Sequence, residues 1–453
     1  MLFSSSAKSQ VGESVGPSGM GQRVPRRADC VQQAEIQASA CEQLAQSYSG
    51  SEVPHTEFPT NPLIVMTRTH IALTETSDSR RAGAELGRGI RQAFEGRTAD
   101  AIAVFASAQH DYDALLQELA DESGTDVIAG ASSAGEFTNK GRGEGQVSAL
   151  GICSSDMQFK VGLGLGVAED PADAARQVVD SFHGRQNATK AYSNALVMTD
   201  ALAGHTDALV EELTLRTRGE YRFFGGGAGD DGRFHTTHVF AGTKSYNNAV
   251  SALEILSSKP IGIGVSHGWE PTGEGMRVTE ASGTRLIGLN GAPALVAIQE
   301  HARNTGQGFD ATDPLPFFLH NVLGIRSAEG YRLRVPLAIG ENGSILCAAA
   351  VPEGAVVHIM KANEGSAVRA ARQATESALR GLAGHKPAGA FVFDCVATRL
   401  RLGRGFEDEL KACAKLLEPA GFVGCNTYGQ IARAEGQFSG FHNCTAVVCV
   451  LPE

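Results

Sequence analysis

Three segments of this 453-residue chain share one order of predicted elements, and this internal repetition constrains the fold more than any other feature. Each segment contains a short apolar strand, a helix, a second strand that runs into a glycine turn, and a closing strand. The leading strands are AIAVFAS, ALVMTD and GAFVFDC, and the turns are GASSAGEF, FFGGGAGDDG and GFVGCNTYGQIA. The repeats predict an α/β fold, in which related strand-helix-strand units form mixed sheets flanked by helices.

Equivalent positions of the repeats carry polar residues, several of them next to glycine. Each leading strand ends at a polar side chain, and each turn has a polar side chain directly after a glycine. In chain order these strand-end residues, turn glycines and following residues are Ser107, Gly135, Glu136, Asp200, Gly229, Asp230, Asp394, Gly429 and Gln430. Ligands of open α/β sheets bind at the carboxyl ends of strands, where glycine allows close backbone approach. We therefore predict that the turns meet at a shared cleft and bind a ligand; glycine needed for turn geometry alone is the alternative.

The segment between the second and third repeats has the pattern of antiparallel hairpins. The hairpin RVTEASGTRLIGLNG turns at Ser282 and Gly283, the helix APALVAIQEHAR has Pro293 in its first turn, and three short strands follow. With these hairpins inserted, we predict two domains, at residues 62–288 and 289–453. Residues 1–60 are rich in Ser, Gln, Gly and Ala, which predicts a flexible tail.

The charge of the chain argues against nucleic acid as a partner. The formal net charge is −11, whereas phosphate binding depends on clustered Lys and Arg. Two small basic clusters, Arg23 to Arg27 and Thr398 to Arg404, are interpreted as a solvated tail and a solvated loop.

Apolar runs and cysteines bear on where the protein works. No run approaches the roughly 18 residues that span a bilayer, and the N-terminus lacks the apolar block of a secretory signal. The 9 cysteines lack a CxxC motif and framework spacing, which favours reduced thiols over disulfides or zinc ligands. These features predict a cytoplasmic protein without membrane insertion.

Eight motifs, taken in order, resemble the FIST family, named for F-box and intracellular signal transduction. They are GASSAGEF, FFGGGAGDDG, GVSHGW, NGAPAL, VPEGAVVHIM, FDCVATRLRLG, GFVGCNTYGQIA and FHNCTAVV. The resemblance implies an N-terminal and a C-terminal FIST domain, and within these motifs Cys395, Arg399 and Tyr428 join the candidate ligand-binding residues. One departure is Gln430, because the family usually has Glu at this position.

The same resemblance implies a sensory protein without established catalysis. Such a protein binds a small ligand and signals through a partner, for which a histidine kinase is the candidate. Amino acids are one proposed class of ligand, and one branch of the family resembles haem-based nitric oxide sensors.

Two histidines are candidate axial ligands for haem. His267 interrupts an apolar strand beside Trp269, and His442 lies between Phe441 and Asn443. An ordinary hydrogen-bonded histidine at a strand end is the alternative reading of His267. The motif HTTH resembles a metal pair, but on a predicted strand its two histidines face opposite ways, so no metal site is predicted.

Two other classes of function stay open. Asp394, Cys395 and His442 could form an activated thiol with its base, which would make the chain a cysteine-dependent enzyme. Against this reading, the strand FVFDC places Cys395 on the same face as two phenylalanines, which indicates a buried and inert thiol. A scaffold that only binds other proteins is the third class.

Overall fold

The structure is a computed structural model that describes residues 66–184, 190–328, 330–363, 365–433 and 440–453. The predicted tail at residues 1–60 lies outside the described residues. Within them, no helix is long and apolar enough to cross a membrane.

The first repeat forms the predicted order of strands and helices. Its elements are β1 (Arg68–Thr74), α1 (Ser79–Ala93), β2 (Ala101–Ala106), α2 (Tyr112–Ser123), β3 (Ile128–Ser132), β4 (Glu136–Thr138), β5 (Gly141–Gly143) and β6 (Val147–Cys153). Helix α1 shows why the sequence folds this way. The Asp78 side chain accepts a hydrogen bond from the Arg81 amide at 2.8 Å and caps the helix, and Ala82, Leu86 and Ile90 form its buried stripe.

The second repeat follows the same order. Its elements are β7 (Met157–Leu165), α3 (Pro171–Ser181), β8 (Tyr192–Thr199), α4 (Thr206–Arg216), β9 (Tyr221–Gly227), β10 (Val239–Ala241), β11 (Lys244–Tyr246) and β12 (Ala249–Ser257). The HTTH histidines, His235 and His238, lie in the loop before β10 and not on a strand as predicted. The reason is local: the Asp230 carboxylate binds three consecutive amides of this loop and holds it in a turn.

The segment between the repeats is antiparallel, as its pattern predicts. After β13 (Gly262–Ser266) come β14 (Trp269–Ser282), β15 (Arg285–Leu289), β16 (Ala292–Pro293), α5 (Ala294–Thr305), α6 (Leu315–Phe318), β17 (Val322–Ser327), β18 (Gly330–Arg334), β19 (Pro336–Ile339), β20 (Ile345–Cys347) and β21 (Val356–Ala362). The strands from β14 to β21 form one eight-stranded sheet, which we call the insert sheet. The predicted hairpin turns at Gly283, but Pro293 precedes helix α5 and does not lie in its first turn.

The third repeat contains one helix that the sequence did not predict. Its elements are α7 (Ser366–Gly381), β22 (Pro387–Cys395), α8 (Val396–Leu402), α9 (Phe406–Leu417), β23 (Phe422–Thr427), β24 (Gln430–Arg433), β25 (Gly440–His442) and β26 (Ala446–Pro452). The basic cluster Thr398 to Arg404 was predicted to be a solvated loop, and most of it is helix α8. In this helix Val396, Ala397 and Thr398 are buried, whereas Leu400 is 52% exposed.

Each repeat builds a six-stranded mixed sheet. The orders are β1-β6-β2-β3-β10-β11, β7-β12-β8-β9-β24-β25 and β13-β26-β22-β23-β4-β5. In each sheet the leading strand pairs in parallel with the strand after the helix, and the other pairings are antiparallel. The predicted fold class is therefore confirmed.

The sheet orders also show an exchange of hairpins between repeats, which the sequence did not predict. Hairpin β4-β5 of the first repeat joins the sheet of the third, β10-β11 of the second joins the first, and β24-β25 of the third joins the second. The exchange is cyclic, so each repeat completes the sheet of another. It also brings strands from both predicted domains into the same sheets.

The three sheets share one apolar core on their inner faces. Phe105 of the first repeat packs edge-on against Phe393 of the third at 5.5 Å between ring centroids, and Phe224 of the second lies 5.5 Å from Phe391. Helices cover the outer faces, with α1 and α2 on the first sheet, α3 and α4 on the second, and α7 and α9 on the third. This packing brings the turns of the three repeats together.

Arg334 of the insert sheet anchors that sheet to the repeats. Its buried guanidinium donates to Asp207 of α4 at 2.8 Å and to the carbonyl of Phe441 in β25 at 3.1 Å. Because a buried guanidinium needs such partners, this contact fixes the insert sheet against the second repeat and the exchanged hairpin.

Candidate functional site

The three glycine turns contact one another through backbone hydrogen bonds. The Asn426 amide donates to Gly135 at 2.8 Å, the Gly229 amide to Ser132 at 2.9 Å, and the Gly227 amide to Gly429 at 2.8 Å. Each pair of turns is thus joined directly. The arrangement agrees with the prediction that the turns meet.

The turn glycines are required by close packing. Gly135 and Gly429 have φ values of +127° and +110°, which other residues rarely adopt. Gly229 has no positive φ, but a Cβ there would lie 2.6 Å from the Ala134 amide nitrogen. The alternative reading, glycine for geometry, therefore accounts for all three turns.

The residue after the first turn glycine, Glu136, points into the protein. Its carboxyl is hydrogen-bonded to the Ser133 hydroxyl and accepts from the Gln146 amide at 3.3 Å. Burial raises the pKa of Glu136 to about 8, and the nearby Asp231 carboxylate adds to this, against the hydrogen bond from Ser133. Glu136 is therefore a buried acid that supports the turn.

Gln430, the equivalent residue of the third turn, is also fully buried. Its Nε2 donates to the Thr427 hydroxyl at 2.8 Å, and its Oε1 accepts from the Thr445 amide at 3.3 Å. An amide satisfies these partners without a charge.

Asp230, after the second turn glycine, is the residue that connects two turns through its side chain. It accepts hydrogen bonds from the hydroxyl of Tyr428 and from the amides of Phe234, His235 and Thr236, the last three at 2.8, 2.6 and 2.9 Å. Burial alone would raise its pKa, but these donors outweigh burial and lower the pKa of Asp230. Asp230 therefore stays ionised and holds the loop that follows the second turn.

Two predicted ligand-binding residues at strand ends instead hold loops. The Ser107 hydroxyl donates to Asp231 at 2.9 Å. The Asp200 carboxylate accepts from the Asn248 amide at 2.6 Å and from the Thr237 hydroxyl. These internal partners use the side-chain groups that a ligand would need.

An apolar cleft of about 370 Å³ lies beside the second and third turns. It is lined by Leu202, Phe234, Leu315, Leu319, Val335, Leu337, Ala348, Cys395, Val396, Ala397, Leu400, Tyr428 and Asn443. Leu202 follows β8, Cys395 ends β22 and Tyr428 follows β23, so the cleft lies at the carboxyl ends of these strands. Residues of α6 and of the insert sheet form the opposite wall.

Aromatic and exposed apolar side chains mark the cleft. The rings of Phe234 and Tyr428 stack at 4.3 Å between centroids with an interplanar angle of 11°. Leu202, Phe234 and Leu400 are 41%, 44% and 52% exposed, although all three are large and apolar. Apolar groups exposed around a concave apolar wall are typical of a ligand-binding site.

The comparisons with known proteins identify the family. The FIST N domain model matches residues 100–292, and the FIST C domain model matches residues 294–433. The chain belongs to the FIST family. FIST domains are signalling domains that sense small ligands, and they are not typically catalytic.

Solved structures give distant likenesses to this FIST protein. Cyanuric acid hydrolase from A. caulinodans matches with a TM-score of 0.30 and 7% identity, over 86% of this chain and 99% of that chain. T. maritima PurL complexed with AMPPCP matches with a TM-score of 0.21 and 10% identity, over 85% and 72% of the two chains. At these TM-scores neither likeness is evidence about function. Among curated proteins, none matches the chain.

In this FIST chain, Arg399 joins the third repeat to the first turn. Its guanidinium donates to the carbonyl of Ala134 and to the carboxylate of Glu144. It is not among the residues that line the apolar cleft, although it was predicted to bind ligand together with Tyr428 and Cys395, which do line it.

Asp394 forms a buried pair with a carboxyl that the sequence did not single out. Its side chain is hydrogen-bonded to Glu409 of α9 and accepts from the Cys395 amide at 2.6 Å. Burial raises the pKa of both carboxyls, and the charge of Asp394, together with the hydrogen bond that it accepts from Glu409, raises that of Glu409 further. Glu409 follows a glycine-arginine stretch with no recognisable motif, so only the fold reveals this pair.

The two candidate haem ligands do not fit haem in this fold. In His267, Nε2 lies 2.9 Å from the Tyr331 carbonyl and Nδ1 accepts from the Trp269 amide at 3.3 Å, so both ring nitrogens have partners. The cavity formed by its neighbours Ser266, Gly268 and Trp269 holds about 10 Å³, whereas a cofactor needs on the order of several hundred Å³.

His442 does not fit the role of a haem ligand either. It is fully buried, and burial together with the nearby Arg332 and Arg334 guanidinium groups lowers its pKa well below the usual value. Neither candidate histidine lines the apolar cleft. In the described residues, no group of three or more His, Cys, Asp or Glu is arranged to hold a metal ion.

The residues that sequence analysis missed are apolar. Phe234, Leu202 and Leu400 each follow the carboxyl end of a strand or lie in the next helix. An exposed apolar residue next to a glycine turn, as in the segment DDGRFH, is the signal that would have indicated Phe234.

Proposed function

We propose that this FIST protein senses a compact, mainly apolar ligand in the 370 Å³ cleft and transmits its binding to a partner protein. The observation that carries the proposal is the cleft itself: a cavity of ligand size at the carboxyl ends of three strands, with exposed apolar side chains at its edge. Family membership supports the sensory role.

The character of the cleft favours an apolar ligand over a free amino acid. Among the described residues that line it, none is charged, and the polar groups belong to Tyr428, Asn443 and Cys395. The ammonium and carboxylate of an amino acid would lose water there without a charged partner, which is costly. Haem is not favoured either, because no histidine stands among the lining residues.

The stacked pair Phe234 and Tyr428 gives binding a route to the rest of the protein. Tyr428 belongs to the third turn, Phe234 to the loop after the second, and Asp230 is bonded to both. A ligand that contacts the exposed face of Phe234 would act on this loop. It would shift the loop only by its difference in affinity for the two loop arrangements.

The family resemblance supplies the proposed partner, a histidine kinase. The seven described cysteines are free and buried, in keeping with a reducing compartment such as the cytoplasm. A change in autophosphorylation of the kinase that depends on both this protein and its ligand is the expected readout.

The ligand proposal is tested by thermal unfolding against a set of compact apolar compounds. A compound at about 100 times its Kd should stabilise the wild type by about 2.7 kcal/mol, which raises Tm by several degrees. Ala348→Phe fills the cleft and should abolish this rise. Leu400→Ala removes an exposed leucine of the cleft and should weaken binding.

A matched control separates these effects from general changes of the surface. Leu215 on helix α4 is 62% exposed and lies outside the cleft, so Leu215→Ala should leave the ligand-induced rise unchanged. If Ala348→Phe kept the full rise, or if no apolar compound stabilised the wild type, the cleft would not be the sensory site.

A further inference from the structure

Cys395 brings a sulfur atom to the wall of the apolar cleft. It is the last residue of β22, it is 3% exposed, and its neighbours Val396 and Ala397 line the same wall. The sequence pattern predicted a buried and inert thiol. The structure agrees on burial but places this residue at a cavity that has room for a second molecule.

The surroundings of this sulfur include hydrogen-bond donors that lower the pKa of Cys395. The thiol of Cys444 and the amides of Cys444 and Ala397 hydrogen-bond to it. The hydrogen bond from the Cys444 thiol is the largest cause that lowers the pKa of Cys395, and the two amides act in the same direction against burial and the Asp394 carboxyl. His442 is not among these partners, so the thiol-histidine pair considered from the sequence is not formed.

The pKa of the other described cysteines shifts in the opposite direction. The pKa is raised for each of the six: Cys153, Cys347, Cys413, Cys425, Cys444 and Cys449. None of them lines the apolar cleft. Among the seven described cysteines, the thiol whose pKa is lowered is therefore also the thiol at the cleft.

We propose that Cys395 captures small apolar electrophiles of the α,β-unsaturated carbonyl class covalently, with the cleft holding the apolar body of the molecule. This inference rests on the proposed ligand cleft and names the chemical class that it would sense. Cys395 is the attacking sulfur of the pair because it lines the cleft, whereas Cys444 does not.

The reaction is a simple addition. The Cys395 sulfur donates an electron pair to the β-carbon of the electrophile, and a carbon-sulfur bond forms. The π electrons of the carbon-carbon double bond move towards the carbonyl group, and the resulting enolate takes up one proton at its α-carbon. That proton replaces the one that the thiol released, so no oxidant, reductant or leaving group is needed.

The test uses the full chain and the probe 2-cyclohexen-1-one, with intact-mass and peptide-mapping mass spectrometry. Native protein should gain one adduct at Cys395, on the order of tenfold faster than at the six other described cysteines. The rate should follow the ionisation of a thiol with a lowered pKa. Cys395→Ser should lose the fast adduct, whereas Cys153→Ser, which changes a buried cysteine outside the cleft, should keep it.

A second variant tests the proposal independently of whether Cys395→Ser folds. Ala348→Phe keeps the thiol and fills the cleft, so it should slow the adduct while circular dichroism stays that of the wild type. Adducts spread over many cysteines, or a fast adduct that persists in Ala348→Phe, would overturn the inference. If reversible apolar compounds stabilise the wild type but the enone does not label Cys395, the covalent step fails and the sensory cleft stands; if neither binds, both fail.

Discussion

The first and third turns place different side chains at the same position and keep the same contacts. Glu136 and Gln430 each follow a glycine of positive φ, and each is fully buried. Both contact a hydroxyl three residues earlier, from Ser133 in one turn and Thr427 in the other. The position therefore requires a polar group that hydrogen-bonds inside the turn.

The difference between the two turns is the ionisable proton. Gln430 has none to lose, whereas Glu136 has a pKa raised to about 8 by burial. The amide of Gln430 therefore preserves the contacts and removes the titration. The second turn shows a third solution, because Asp230 is held as an anion by its four donors.

The largest expected effect compares the glycines of the two turns. In Gly429→Ala the new Cβ would lie 2.1 Å from Cζ of the buried Phe441, and in Gly135→Ala it would lie 2.4 Å from Nη1 of Arg399. Both changes strain a positive φ, but the Arg399 side chain can move and the packed ring cannot. We expect losses of about 4 kcal/mol for Gly429→Ala and about 2 kcal/mol for Gly135→Ala, measured by urea unfolding. Equal losses would mean that backbone strain at positive φ determines the loss of stability and that the neighbouring side chain does not matter.

The second prediction concerns the pH dependence of stability. The pKa of the Glu136 carboxyl is near its usual value of 4.5 in the unfolded chain, but burial raises this pKa to about 8 in the folded protein. The contribution of Glu136 to the free energy of unfolding is fully present below the unfolded pKa. It falls as pH rises towards the folded pKa, and the fall amounts to about 3 kcal/mol at neutral pH. Glu136→Gln should remove this decline, as seen in unfolding free energies measured between about pH 5 and about pH 8.

The reverse substitution in the third turn, Gln430→Glu, is a second test of this pH dependence. Gln430→Glu places a carboxyl in the third turn, so it should add a decline of stability with rising pH where the wild type has none from this position. Glu353→Gln, an exposed control, should leave the pH dependence unchanged. Asp394 and Glu409 also have raised pKa values and keep their own part of the decline, so a decline in Glu136→Gln as steep as that of the wild type would contradict the prediction.

The smallest of the three expected effects is that of Asp230→Asn, and its dependence on pH is opposite to that of Glu136. Asp230→Asn removes the anion that accepts from the loop amides, and we expect a loss of about 2 kcal/mol at neutral pH. Because the pKa of Asp230 is lowered, its contribution is present above the unfolded pKa and lost as pH falls through the folded pKa. Chemical unfolding at neutral and acid pH should therefore show the variant and wild type converging in acid, and a constant difference would contradict this.

Repetition and glycine spacing were enough to predict most of the strands and helices and the meeting of the turns. The signal is strong because Gly135, Gly229 and Gly429 each lie shortly after the end of an apolar strand, and each of these strands follows a helix. The hairpin exchange was not predictable in the same way. Strand β4 has three residues, and its partner β23 belongs to another repeat, so no local pattern marks the pairing.

The candidate site was predicted only in part, because some of its residues lie in segments that carry no sequence pattern. Tyr428 and Cys395 lie in motifs, and both line the cleft, whereas Leu337 and Ala348 come from a segment without any motif. Ser107 and Asp200 looked like site residues because polar side chains at strand ends bind ligands as well as loops. Only their partners in the fold distinguish the two roles.

The cyclic exchange of hairpins sets the order in which the chain can complete its fold during synthesis. The edge of β9 stays open until β24 of the third repeat has been made, and hairpin β4-β5 has no sheet to join until β23 exists. Open strand edges are templates for association, and pairing over such sequence distances is slow. A growing or truncated chain that lacks the third repeat therefore carries both an unpaired edge and an unplaced hairpin, and chaperones would meet it in that state.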